Sequence, residues 1–404
     1  MPPDPSAPAA AMPTAVAAPS VRRARPDMRL LGFLALGHMV VDINQGSLSA
    51  LLPFLKSGLA LSYTATGVVV LMANTTSSLI QPLFGYLADR TARRWLLPVS
   101  VLVSSVGLGL MGLAPSYAAL LAFVTIAGIG VATYHPEGYR TATAVAGDRK
   151  VTGVSIFSTG GNVGVALGPP LITALVTGFG LTGTLGMLVP GILVSLLLAA
   201  VLPMLSAPAP ARVRGVEGAP TTMAGAMALL IMVIAIRSWT QLGFTTYVPF
   251  YYIEVLKGDP RFVGTLLAIF LGAGAVGTLA AGPIADRVGI RRYVVSVFLL
   301  TTPVAVAVLL LPGSLAFVAL GALGFALVST FTASVVLGQA YMPRNPGMAS
   351  GLIVGFAVGA GGLGVTGLGW VADHFGLMAS LWISALLPIA GFGLALFLPE
   401  PRGR

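Results

Sequence analysis

Two charged clusters interrupt an otherwise apolar chain, and they are copies of each other. Gly85-Tyr86-Leu87-Ala88-Asp89-Arg90 is followed by Arg93 and Arg94; Gly282-Pro283-Ile284-Ala285-Asp286-Arg287 is followed by Arg291 and Arg292. Asp89 and Asp286 stand 197 residues apart, as do Gly85 and Gly282. In a chain of 404 residues with 8% charged residues, that repetition marks a duplication: two similar halves, each with the same charged hinge between apolar segments. The copying runs further. Pro53-Phe54 recurs as Pro249-Phe250 and Gln45 falls on Gln241, both 196 residues on; Gly67 matches Gly264 at 197, and Gly153 matches Gly351 at 198.

The medium follows from composition. Hydrophobic residues make up 56% of the chain, and the charged share is far below the ~25% of soluble domains. So few charges cannot cover a water-facing surface of this length. Runs such as 96–113 and 185–202 approach the ~20 apolar residues that cross a bilayer as helix. Helix is required because every backbone polar group must be satisfied inside lipid. The pattern predicts an all-α polytopic membrane protein with twelve transmembrane helices in two six-helix halves. The first six spans are 30–56, 65–88, 95–113, 117–142, 150–177 and 182–203. The second six are 224–253, 261–285, 293–312, 315–342, 347–371 and 378–398.

Most of the 22 Lys and Arg fall on one side of these spans, while Lys56, Lys257 and Arg261 mark the other and Arg237 lies inside one. That asymmetry puts both termini in the cytoplasm. The net charge of +10 therefore reports topology and argues no nucleic-acid role. Cysteine is absent, which excludes disulfides, thiol catalysis and thiolate metal sites. Three histidines, two of them in spans, make no case for a structural zinc site, and no metal or other cofactor is expected. Residues 1–28 are rich in Pro and Ala and read as a disordered cytoplasmic tail; their arginines follow the apolar stretch, reversed from a signal peptide. Residues 29–203 and 223–404 are the two bundles, joined by a Pro/Ala/Gly linker over 204–222.

Six plus six spans, a short central loop, and a G-x-x-x-D-R-x-x-R-R hinge after spans two and eight resemble the major facilitator superfamily. The first copy departs from that pattern at Ala92, where glycine is usual; the second has Gly289. A narrower resemblance is to the fosmidomycin-resistance branch. It rests on 37–46 (GHMVVDINQG), 51–55 (LLPFL), 81–87 (QPLFGYL) and 133–139 (TYHPEGY). The branch implies efflux of a phosphonate antibiotic or other small toxic compounds from a bacterial cytoplasmic (inner) membrane. The superfamily implies alternating access driven by the proton-motive force, by a protein working as a monomer in the bilayer.

The superfamily also implies that spans one, four, seven and ten line a central cavity. Membrane-embedded ionisable residues fall on three of these: His38, Asp42, His135, Glu137 and Arg237. A charge at mid-bilayer costs about 2.5–3.5 kcal/mol on insertion scales and marks a polar cavity or a partner. At ~1.5 Å per residue, Asp42 and Arg237 lie at similar depth. The expectation is an ion pair between them, with His38 one turn below meeting His135 or Glu137. Arginine suits phosphonate or carboxylate, since its planar fork donates two parallel hydrogen bonds. The candidate substrate contacts are thus Arg237, Gln45, Gln241, Asn44, Tyr134 and His135, and the candidate proton carriers Asp42, Glu137 and His38. A lone glutamine serves a helix–helix contact equally well; the repeat equivalence of Gln45 and Gln241 brings the ligand reading level with it.

In span five, Gly160, Gly164 and Gly168 form a smooth stripe for close helix approach, and Pro169 and Pro170 favour a bend. This resembles the antiporter motif of drug exporters in the superfamily. The hinges read as gates: by resemblance, Asp89 approaches the start of span eleven and Asp286 that of span five, where free amides favour a carboxylate. Gly85, Arg90, Arg94, Gly282, Arg287 and Arg291 complete the two hinges. The reading is a proton-coupled exporter of small polar or anionic compounds. A proton-coupled importer of an organic anion is its rival within transport. A membrane-embedded enzyme is the rival from another class, disfavoured because no nucleophile–base motif or metal cluster stands in the sequence.

Overall fold

A computed structural model describes residues 26–81, 84, 93–147, 149–205, 223–345, 348–349, 352–357 and 359–400. Twelve long helices are seen among the described residues, one for each expected span. In the first half they are α1 (Met28–Leu59), α2 (Tyr63–Asn74, continued by a π turn Thr75–Leu79), α3 (Leu96–Met111), α4 (Tyr117–Val145), α5 (Lys150–Phe179) and α6 (Leu188–Val201). In the second they are α7 (Ala224–Phe250), α8 (Val263–Val288), α9 (Ile290–Leu310), α10 (Ser314–Tyr341), α11 (Gly361–Phe375, preceded by a π turn Leu352–Ala357) and α12 (Leu377–Leu396). Eight helical stretches among the described residues are long and apolar enough to cross a membrane. Polar residues explain why α1 is not among them: His38, Asp42, Asn44 and Gln45 crowd its middle.

Local chemistry sets the helix ends. The Asp27 carboxylate accepts from the amides of Arg29 and Leu30, both at 3.1 Å, and starts α1. Ser62 caps α2 through the amide of Ala65 at 3.0 Å, satisfying a donor that has no partner within the helix. Between α8 and α9 the chain turns at Gly289 with φ of 92°, a conformation that side chains with a Cβ resist. This accounts for glycine in the second hinge; Ala92, its counterpart, lies outside the described residues.

Within the first half α1 packs mainly on α5, and α3 on α4 and α6; in the second, α8 packs on α10 and α7 on α12. The glycine stripe of α5 makes the first of these contacts. A methyl at Gly160, Gly164 or Gly168 would run into the carbonyls of Ala35, Met39 and Ile43 in turn. Pro169 and Pro170 sit inside the continuous α5. They provide the surface on which α8 rests: a methyl at Gly264 would lie 2.5 Å from the Cα of Pro170. Large apolar side chains face outward, with Leu193 and Leu196 of α6, Leu299 and Leu300 of α9 and Val318 of α10 all more than half exposed. Such a surface fits lipid rather than water.

The halves meet through two helix pairs, α2 with α11 and α5 with α8. The polar contacts that described residues make with one another across the halves lie at the far end, opposite the termini. Lys56 Nζ is 3.2 Å from Glu254 Oε1, and the Tyr63 hydroxyl donates to the other oxygen of Glu254. Asp373, two residues past the eleventh span, accepts from the amides of Tyr63 and Thr64, both at 2.8 Å, and from the Thr64 hydroxyl at 2.5 Å. At the opposite end Asp286 is exposed, with no ion pair or hydrogen bond among the described residues.

Candidate functional site

Gln45 and Gln241, equivalent in the repeat, face the same cavity. Its volume is about 150 Å³, and its walls come from both halves: Gln45 and Ser49 on α1, Asn74 and Ser77 at the end of α2, Gln241 and Thr245 on α7. A smaller recess of about 40 Å³ shares Gln45 and Ser77 and reaches Asn44. Two acceptors in these walls are buried without a hydrogen-bond donor, Gln241 Oε1 and Asn44 Oδ1. Asn44 is otherwise fixed by its amide nitrogen, which donates to Ser105 Oγ at 2.8 Å and Ser104 Oγ at 3.1 Å.

One turn toward the termini, the same helix faces carry charge. On α7, Arg237 precedes Gln241 by four residues; on α1, Asp42 precedes Gln45 by three, so each charge continues a cavity-lining stripe. The expected ion pair between them does not form. Arg237 belongs instead to its own half. Its Nε donates to the Leu327 carbonyl at 2.8 Å and to Thr330 Oγ1 at 3.2 Å, and its guanidinium carbon stands 5.7 Å from the centre of the Phe331 ring. The residue is only 4% exposed, and no carboxylate among the described residues pairs with it.

Asp42 is claimed by two histidines. His38 Nε2 is 3.3 Å from Oδ2, one turn away on α1, and His135 Nε2 of α4 is 3.2 Å from Oδ1. The other ring nitrogens are fixed by backbone: His38 Nδ1 by the Phe157 carbonyl of α5 at 2.8 Å, His135 Nδ1 by the Val131 carbonyl at 3.0 Å. Gly161 of α5 makes room, since a methyl there would lie 2.6 Å from both Asp42 Oδ2 and His38 Nε2. The potential ligand atoms of these three residues all lie within 4.8 Å, the one such group among the described residues. The carboxylate lies between the two rings at ion-pair distance from each.

Several other expectations need correction. Glu137 does not meet His38. It is 1% exposed and pairs with Arg140, three residues on in α4, by a two-pronged contact. His135 binds Asp42, so it is not a free substrate contact. Tyr134 is fully buried, and its hydroxyl donates to the Leu34 carbonyl at 2.8 Å, a packing role between α4 and α1. Arg291 turns to the chain's end, donating to the carbonyls of Leu398 and Leu396 beside Glu400. Gly85, Asp89 and Arg90 lie outside the described residues. Arg94 has an interaction of its own, and Gly282 and Arg287 are exposed. The far-end residues Lys56, Tyr63, Glu254 and Asp373 were not anticipated. Only the charges flanking spans one, seven and eleven could have pointed to them.

Two pseudo-symmetric helical bundles around a cavity at the join are the architecture of a membrane transporter. The family model of the Major Facilitator Superfamily matches residues 34–365, and the chain belongs to that superfamily. It is 34% identical to the fosmidomycin resistance protein of Escherichia coli (strain K12), over 96% of this chain and 97% of that protein. It is 32% identical to YfnC, an uncharacterised transporter of the superfamily in Bacillus subtilis (strain 168), over 92% of this chain and 93% of that one. Among solved structures, a bacterial homologue of the human lysosomal transporter Spinster matches with TM-score 0.74 at 16% identity, covering 92% of this chain and 96% of that one. The nucleoside transporter NupG matches with TM-score 0.74 at 15% identity, covering 92% and 99%. At those identities the two structures speak for the fold alone. The resemblance to the fosmidomycin-resistance branch holds along the chain, and the relatives are transporters rather than enzymes.

Proposed function

We propose that this transporter exports small polar or anionic compounds, phosphonates among them, across a bacterial cytoplasmic membrane, coupled to proton entry. The observation that carries the reading is Arg237. A guanidinium buried in a membrane protein without a carboxylate partner is costly. Its Nε is spent on α10, while its two terminal nitrogens have no hydrogen-bond partner among the described residues. Those are the two prongs that a phosphonate or carboxylate engages. One turn away, Gln241 and Gln45 offer the cavity wall for the rest of the substrate. The name of the Escherichia coli relative supports the phosphonate class and the outward direction.

With both termini in the cytoplasm, the far end tied by Lys56, Tyr63, Glu254 and Asp373 is the external one. An inside-negative membrane favours anion exit by about 2.3 kcal/mol per charge per 100 mV, and proton entry adds to it. The test is direct binding to purified protein of methylphosphonate and of a neutral amide of similar size, in wild type, Arg237→Lys and Arg237→Gln. The anion should lose at least tenfold in affinity in both variants, because an ammonium lacks the planar fork; the neutral compound should change little. Equal losses for both ligands, or none for the anion, would return Arg237 to a structural role.

A further inference from the structure

The cluster around Asp42 carries a hydrogen-bond count that fixes how many protons satisfy it. A backbone carbonyl only accepts hydrogen bonds. His38 Nδ1 faces the Phe157 carbonyl and His135 Nδ1 faces the Val131 carbonyl, so both rings keep their hydrogen on Nδ1. In a neutral ring Nε2 is then a bare acceptor, and an ionised carboxylate is acceptor-only as well. Acceptor would face acceptor at 3.3 Å on one side of Asp42 and 3.2 Å on the other. Inside a protein such unpaired contacts are repulsive and uncompensated by water. Each contact therefore needs its own proton. The two involve different rings and different oxygens, so a single proton serves only one. Asp42 Oδ1 is buried and makes no well-formed hydrogen bond, and His135 Nε2 is the nitrogen beside it at 3.2 Å.

We propose that His38, Asp42 and His135 form a two-proton site that cycles between net charge −1 and +1, and that two protons enter for each substrate exported. The proposal rests on the proton-coupled reading above and gives it a site and a stoichiometry. His135 is the point of entry, since its side chain is 15% exposed and that of His38 only 4%. The surroundings leave these three groups to carry the charge. From α4, Tyr134 and Tyr139 face the cluster with hydroxyls engaged by Leu34 and Ser158. From α5 come only the Phe157 ring, stacked 4.2 Å from His38, and Gly161. Glu137 is neutralised by Arg140, and Arg237 stands on α7 without pairing to Asp42. The Phe157 carbonyl also ties the charge state of His38 to the packing of α5, the helix whose other end bears on α8. Proton loading can thus reach a contact between the halves.

The full-length protein in lipid nanodiscs, labelled with 15N-histidine, reads the site directly. The chain has three histidines, and exposed His374 serves as an internal reference. His38 and His135 should each appear only as the Nδ1–H neutral form or as imidazolium. Neither should show the Nε2–H neutral form. The wild-type spectra alone decide this, so a variant that fails to fold costs nothing. An Nε2–H tautomer on either ring, or only one ring gaining a proton, overturns the two-proton site. Reversal-potential measurements in proteoliposomes address the cycle. Two protons per substrate would let a tenfold proton gradient hold about a hundredfold substrate gradient. A measured stoichiometry of one overturns the cycle count. Transport indifferent to the proton gradient, with two protons seen by resonance, overturns the proton-coupled reading and leaves the site standing.

Discussion

Replacing Asp373 with asparagine should loosen the far-end closure, by an amount that the structure lets one estimate. Asp373 belongs to α11 in one half, and its carboxylate accepts three hydrogen bonds from the first residues of α2 in the other. Two come from backbone amides at a helix start, where unsatisfied N–H groups and the helix dipole both favour a negative charge. Burial raises its pKa, but the hydrogen bonds from Thr64 and Tyr63 outweigh that and hold the carboxyl below the usual carboxylate range. The group is exposed, so water competes and the full shift does not become stability. Helix-start carboxylates contribute about 0.3–1 kcal/mol and lost caps cost about 0.5–2 kcal/mol. A value of about 1 kcal/mol changes the ratio of closed to open far ends about fivefold, so an open state at roughly 5% would rise to roughly 20%. Spin labels on Phe179→Cys and Phe375→Cys, both exposed near the far end on opposite halves, would measure it without background, because the chain has no cysteine. The sign of the pH effect is fixed. A depressed carboxyl contributes fully above its ordinary pKa of about 3.9, and the contribution fades as pH falls through the lower value of the closed state. Wild type should therefore stay closed from neutral to about pH 4 and open below it, with the asparagine variant flat through that window. Identical distance distributions in the two proteins at neutral pH would refute the latch.

Three further outcomes follow from packing and pairing. Glu137→Gln removes one partner of a buried ion pair and should lower the melting temperature, at about 1–3 kcal/mol, while leaving methylphosphonate affinity intact; unchanged stability with lost transport would make Glu137 a working group. Gly161→Ala places a methyl 2.6 Å from Asp42 Oδ2 and should cost about 1–3 kcal/mol in thermal unfolding; an unaltered melting curve would mean the cluster is looser than its distances. Gly264→Ala sets a methyl 2.5 Å from the Cα of Pro170, backbone against side chain with nothing flexible to yield. It should lengthen the same spin-label distance, and no change would show that α5 and α8 do not need that close approach.

The sequence carried the fold because its signals are one-dimensional. Apolar run lengths mark helices, and a repeat at 197 residues marks two halves. The site was legible only in part. Depth along a helix can be counted from its end, but the direction a side chain faces depends on packing. Asp42 and Arg237 do not pair, because a count along each helix does not say whether two groups face each other. His38 with Asp42 was readable as neighbours on one face, since i and i+4 pairs meet. Glu137 with Arg140 carries an equally local signal, three residues apart on one helix. His135 over Asp42 had no local signal, because it depends on how α4 crosses α1. Asp373 has no signal in the repeat, because its position is not duplicated in the other half.

The repeat also shows how a duplicated protein divides its labour. At the 196-residue offset relating α1 to α7, Gln45 corresponds to Gln241 and Ser49 to Thr245, and all four line the cavity. The hydrogen-bonding wall is therefore duplicated. The charges are not. At the same offset Asp42 corresponds to Ser238 and His38 to Ile234, while Arg237 corresponds to Val41. The first half alone holds the carboxylate and its histidines, and the second alone holds the arginine. Had each half kept both signs, each would close an ion pair within itself, and neither would have an unpaired charge to offer a proton or an anion. Separation across the join keeps Arg237 without a carboxylate and Asp42 without an arginine. Under the function proposed above, the symmetric wall would receive the neutral part of a substrate, and the asymmetry would give the anion one bundle and the protons the other. Rocking of the bundles would then change the distance between the two charges and so link occupancy of one site to the charge state of the other without any shared ligand.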